Sequence, residues 1–217
     1  EVVKGDRPDP GKNVSGEITS FPSGKKYALP KFPEFPSLSD RGSIRAGWQS
    51  GDPFVIEESG AYDKIEVSKE LTVNVGEKDV EIVAGDLSVT GKGCLRVHRT
   101  GKGRLVLYVK DEMNLSNGGR INPEGSSDDV LLYYAGDKDL DFGGNTLMNG
   151  SLFAKKANLS LSGSGSLTGS AVVGGGKGKI SGHAKMADGV LYAPDADLMV
   201  SGSSRIHGTA VGKSLEL

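Results

Sequence analysis

Four short stretches of this chain carry residue types and spacings that could do chemistry. Gly208, Gly212, Lys213 and Ser214 resemble a phosphate-binding loop. That loop needs its two glycines one residue further apart, followed by a helix whose first amides point at the phosphate. No helical apolar period follows Ser214, so a strand and a corner are the better reading. Asp137, Asp139 and Asp141 open like a calcium loop, but Phe142 stands where the sixth residue must be glycine. Met148 occupies the twelfth position, where a bidentate Glu belongs. Inward Leu140 and Phe142 alternating with outward carboxylates account for the pattern, leaving a weak surface cation site near 137–141 as the other reading.

His98, His183 and His207 are the three histidines, and they fall at unrelated places in the repeat described below. A metal centre or a nucleophile's base would need them to converge. Cys94 is the single cysteine; it forms no internal disulfide and reads as core packing. Asn13, Asn114, Asn149 and Asn158 each open an Asn-x-Ser triplet, a frequent coincidence in a Ser- and Gly-rich chain. Carbohydrate cleavage needs paired carboxylates over a groove. The longer corner loops at 99–104 and 122–129 are the places that could hold such a pair. No catalytic, cofactor-binding or metal-binding residue is assigned on these grounds.

What would position any of these groups is a repeat. Residues 151–169 return at 190–208, thirty-nine positions later, and 170–189 make a further copy between them. The steps are therefore 19 and then 20 residues. Within a copy, Leu152 with Ala154, Leu159 with Leu161, and Leu167 alternate along three short strands, separated by corners rich in Lys, Ser and Gly. On a helix, Leu159 and Leu161 would diverge by about 200°, and each interior glycine would cost about 1 kcal/mol. One copy cannot bury its apolar edge, but copies stacked at about 4.8 Å bury each other's. The spacing predicts an all-β chain: a three-sided parallel β-helix with columns of like side chains.

Longer rungs come earlier. Leu87 and Val89 match Met113 and Leu115 at a step of 26, then Leu140 and Phe142 at 27. A 19-residue register is expected from Leu132 onward. Residues 1–28 read as a polar arm, 29–62 as a proline-rich lead and N-terminal cap that includes Trp48, and 63–217 as the solenoid. Pro30, Pro33 and Pro36 enforce extended backbone and place Phe32 and Phe35 on the solenoid's flank. The 33 glycines suit a fold of many corners, and a net charge of −2 supplies no field for nucleic acid. The start at Glu1 suggests a processed or trimmed chain whose targeting segment lies upstream.

Leu107-Tyr-Val-Lys-Asp-Glu-Met-Asn-Leu-Ser, Leu191-Tyr-Ala-Pro-Asp-Ala-Asp-Leu-Met-Val-Ser-Gly and Arg205-Ile-His-Gly-Thr-Ala-Val-Gly-Lys-Ser resemble the β-solenoid domain of PilX-type, type IV pilus-assembly-associated surface proteins. The resemblance covers roughly residues 29–217, including the proline-rich lead. It implies a pseudopilin-like subunit of a bacterial surface assembly, with protein partners and membrane contact only through an upstream helix absent here. The expected function is accordingly a non-enzymatic structural or adhesive module without cofactor. A polysaccharide-binding or -cleaving β-helix and a bactofilin-like polymer are the alternatives. The last segment, 209–217, fits only an opening strand and a shortened second one, which marks the C-terminal rung for self-association or partner docking.

Overall fold

The computed structural model describes Thr19, residues 27–47 and residues 54–217. Its strands form one parallel ladder wound into about eight turns of a three-sided β-solenoid. Trp48 and most of residues 1–26, expected as part of a cap and as an arm, lie outside the described residues.

Each turn contributes one strand to each face. The first face begins with Ser43–Ala46 and continues through Leu140–Phe142, Leu159–Leu161 and Lys177–Ile180. The second runs from Phe54–Ile56 through Glu70–Val75 and Cys94–Arg99 to Arg120–Ile121, Leu147–Asn149 and Ser166–Thr168. The third includes Val130–Tyr134, Ser151–Ala154 and Ala171–Val173. Long strands such as Leu105–Ser116 and Lys185–Val200 bend from one face to another. The ladder starts earlier than alternation alone suggests, because Ile44 and Ala46 pair with Ile65 and Val67 inside the stretch read as a cap.

The interior is built of columns. On the second face Leu71, Leu95, Ile121, Met148, Leu167, Met186 and Ile206 stack in register. This column shows both the 26-residue step, from Leu95 to Ile121, and the 27-residue step, from Ile121 to Met148. The 19-residue step starts later than Leu132, which pairs with Leu152, twenty residues on. It first appears between Leu140 and Leu159, once the corner insertions have ended. The extra residue of the step from Ala171 to Leu191 is taken up around Asp188, which adopts φ 59° where the next strand shifts register.

Of the residues that the repeat turns inward, Leu152, Leu159, Leu161, Leu167, Ile180, Met186, Leu191 and Leu198 are buried. Val200 and Ile206 are only half-buried, since they border the last rung and have a neighbour on one side. The corner between the first and second faces repeats a left-handed residue: Gly91, Gly144, Gly163, Gly182 and Gly202 all have φ between 62° and 74°. Asn117 fills that place in one rung at φ 54°, a conformation its short side chain tolerates.

A strap and an aromatic column on the third face

Alternation along the third face turns one residue per rung outward. Ala61, Val83, Tyr108, Tyr133, Phe153, Val172, Tyr192 and Val211 fall in one register and make an outer apolar column. Tyr108 and Tyr133 stack with centroids 5.4 Å apart and an interplanar angle of 18°. Residues 27–38 lie along this column. Phe35 meets Tyr108 at 5.0 Å, and Phe32 meets Phe153 edge-on at 5.0 Å and Tyr133 at 6.1 Å. Lys155 places its ammonium 5.2 Å from the centre of the Phe32 ring. At the upper end Tyr192 donates its hydroxyl to the Ala28 carbonyl at 3.0 Å. At the foot Ala61 N–H donates to the Ser39 carbonyl and Arg41 N–H to the Ala61 carbonyl, both at 2.8 Å. The two phenylalanines thus sit on the flank, as the prolines require.

Tyr108 donates to Glu81 at 3.1 Å. Burial first, and then the bond to this carboxylate, push its phenol up to about 12. The folded value lies above the value of about 10 in an unfolded chain, so the stabilisation is complete below that pH and is lost as pH rises through about 12. Thermal melts between these limits should show the parent losing stability that Tyr108→Phe retains. Parallel loss in both proteins would contradict this assignment.

The stretches that could do chemistry are placed as follows. Residues 208–214 lie within the extended strand Arg205–Glu216. Leu140 and Phe142 are buried, while Asp139 accepts from the Asn158 side chain at 2.9 Å and Lys138 pairs with Glu112. His98 contacts Asn74 at 3.3 Å, and His98, His183 and His207 are all exposed and lie on different turns. Cys94 is buried, and burial raises its thiol pKa against the lowering charges of Arg96 and Arg120. Asn114 is exposed, Asn149 donates to the Pro123 carbonyl at 3.1 Å, and Asn13 lies outside the described residues. In the long corner loops Arg99 holds Asp129 at 2.8 Å, Arg96 pairs with Glu124, and Ser126 with Asp129 forms a capping box. Among the described residues, no three His, Cys, Asp or Glu side chains gather to hold a metal ion.

One groove breaks the first face. Residues 112–116 pair with 86–90 on one side, whereas Leu140–Phe142 pairs onward with Leu159–Leu161. The opening between them, about 340 Å³, is lined by Glu112, Asn114, Ser116, Lys138, Asp139 and Asp141. It exists because the 27-residue step inserts a corner here, and the buried Tyr134 fills the space beneath with its hydroxyl on the Asp111 carbonyl at 3.3 Å.

The family described as Domain of unknown function (DUF7305) matches residues 39–187. The chain belongs to the DUF7305 family. The match begins where the strap joins the first rung, so the strap itself lies outside the matched span. No curated protein and no solved structure matches the chain. Among the described residues no helix is long and apolar enough to cross a membrane.

The outer column was only partly legible in this DUF7305 sequence. Phe153 and Tyr192 hold the same place in two copies, with Val172 between them. Tyr108 and Tyr133 come from the longer rungs, where insertions hide the phase. A search for aromatic residues one position after each inward residue would have found them.

Proposed function

We infer that this DUF7305 chain is a non-enzymatic structural module of a bacterial surface assembly, the soluble part of a type IV pilus-associated, pseudopilin-like subunit. The observation that carries the reading is the strap. It takes the chain from the first rung back along the third face to Tyr192, next to the last rung. A tether upstream of Tyr27 would therefore load the strap lengthwise, with its aromatic contacts resisting together instead of one after another. The outward polar side chains fit the same purpose, since many are engaged from rung to rung. Glu66 is held by Lys64 at 2.9 Å and Arg45 at 2.7 Å, and these bonds lower its carboxyl pKa. Lys177 lies in register with Asp197, and its backbone N–H donates to Asn158 at 2.9 Å. A hydrogen bond from Ser214, then the charges of Lys213 and Lys177, lower the Asp197 carboxyl pKa.

On this reading its partners are protein subunits of the assembly. The last rung offers a contact, because Ile206, Ala210 and Leu215 are only partly covered. Leu215→Lys should weaken self-association in sedimentation without lowering the melting temperature, and equal association in both forms would remove the end from the reading. The deciding experiment for the function itself is cellular. Antibodies against residues 39–217 should label the sheared pilus fraction of the source bacterium, and the label should vanish when pilus assembly is blocked. Detection only in cytosolic filaments would favour a bactofilin-like polymer. Turnover of a polysaccharide by the purified chain would favour the enzyme.

A further inference from the structure

The strap and the column beneath it share a period. Along the strap Leu29, Phe32, Phe35 and Leu38 are partly covered, while Ala28, Lys31, Glu34 and Ser37 are exposed. A covered residue at every third position is the signature of a polyproline II helix, with three residues per turn and about 9.3 Å per turn. Two rungs of the solenoid rise about 9.6 Å at the usual strand spacing. One turn of the strap thus spans two rungs, and its apolar side chains stay in phase with the column without distortion. Residues 28–38 advance about 31 Å, close to the six rung steps of about 29 Å from Ala61 to Tyr192.

This contact is separable from the interior. Val83, Val106 and Tyr108 form a hydrophobic cluster of their own with Phe35, Leu38, Leu131 and Tyr133, distinct from the main core. Among the described residues, the hydrogen bonds made to the strap lie at its two ends, at Ala28 and Ser39. Between them the strap is held by rings and prolines, while the rungs below keep their own ladder. Aromatic grooves that bind a preformed, internally unbonded polyproline helix are a known mode of peptide recognition.

We propose that the outer column of the third face is a recognition groove for proline-punctuated extended peptides with a bulky apolar residue at every third position. Residues 27–38 are its resident ligand in cis, and a partner segment of the same chemistry exchanges for them. The strap fixes the occupant's chemistry because it is an instance of it: Phe32 and Phe35 stand three apart, each beside a proline. A tethered ligand competes at an effective concentration on the order of millimolar, so the groove opens to a partner only when the strap is loosened.

The test uses the full chain and a labelled peptide of residues 27–38. Phe32→Ser combined with Phe35→Ser loosens the strap, and the peptide should then bind in fluorescence anisotropy at least about tenfold more tightly than to the unaltered chain. Adding Tyr133→Ala to that variant should abolish binding, and a peptide with its phenylalanines moved out of phase should not bind. If the double variant keeps its far-ultraviolet β signature and still takes no peptide, the proposal is overturned. Equal binding to the unaltered chain would overturn it too, by placing the peptide elsewhere. If the double variant fails to fold, a protease site inserted between Leu38 and Ser39 provides the second measurement. After cleavage, excess labelled peptide should displace the strap, and a strap that never exchanges refutes the groove.

Discussion

Gly165→Ala is expected to destabilise the solenoid by about 3 kcal/mol. The cause is close approach of backbone to backbone. A Cβ at Gly165 would overlap the carbonyl oxygen of Phe142 in the rung below and lie 3.0 Å from the Ser162 carbonyl. Neither atom can move freely. Gly165 N–H donates to the Ser162 carbonyl at 2.9 Å, and the Gly165 carbonyl accepts from Lys185 at 2.9 Å. Gly93 and Gly119 face the same obstacle at Val67 and Val89, so the constraint belongs to the corner and not to one rung. Gly176 is the control: a Cβ there meets nothing within 4 Å, so Gly176→Ala should stay within about 0.5 kcal/mol of the parent. Urea unfolding of the two variants checks both values, and similar midpoints for them would refute the close-approach argument.

Leu159→Ala should cost about 2–5 kcal/mol and fall toward the upper end of that range. Leu159 is 3% exposed and stands between Leu140 below and Gly178 above. Gly178 has no side chain, and its place is filled by Leu198, which reaches within 2.5 Å of where a Cβ would lie. Truncating Leu159 would leave two small residues in succession, and Leu198 is already committed to one of the gaps. The site therefore keeps a cavity, and cavity volume is what sets the cost. Because each rung contacts only its neighbours, hydrogen exchange should rise first around residues 140–180 and least near 65–89. Uniform loss of protection along the chain would contradict that expectation. Val200→Ala, at a half-buried position beside the last rung, should cost less than Leu159→Ala.

The repeat was readable because a solenoid stores its tertiary structure in local spacing. Leu152, Ala171 and Leu191 were placed in one column by counting, and the ladder pairs them so. The pairing of Lys177 with Asp197 followed from the same count. Counting failed where insertions shift the phase. Met113 and Leu140 match at 27 residues, yet the first face opens between their strands, while the second face carries the same step across an intact ladder from Ile121 to Met148. Spacing shows that a corner is longer; it does not show which face gives way.

The sequence alone determined the parallel stacking, the inward columns and the extended strap. Each depends on neighbours in the chain or on a fixed period: alternation of two for strands, about 19 residues for a rung, and prolines that hold φ near −65°. Only the tertiary structure decided where the strap lies. Nothing in the order of residues 27–38 says that they run from the first rung to Tyr192, or that Phe32 and Phe35 meet rings supplied by residues 108, 133 and 153. Those contacts join parts of the chain with no common period, and they form because the twofold alternation of the strands and the threefold turn of the strap meet at the same rise along the solenoid axis.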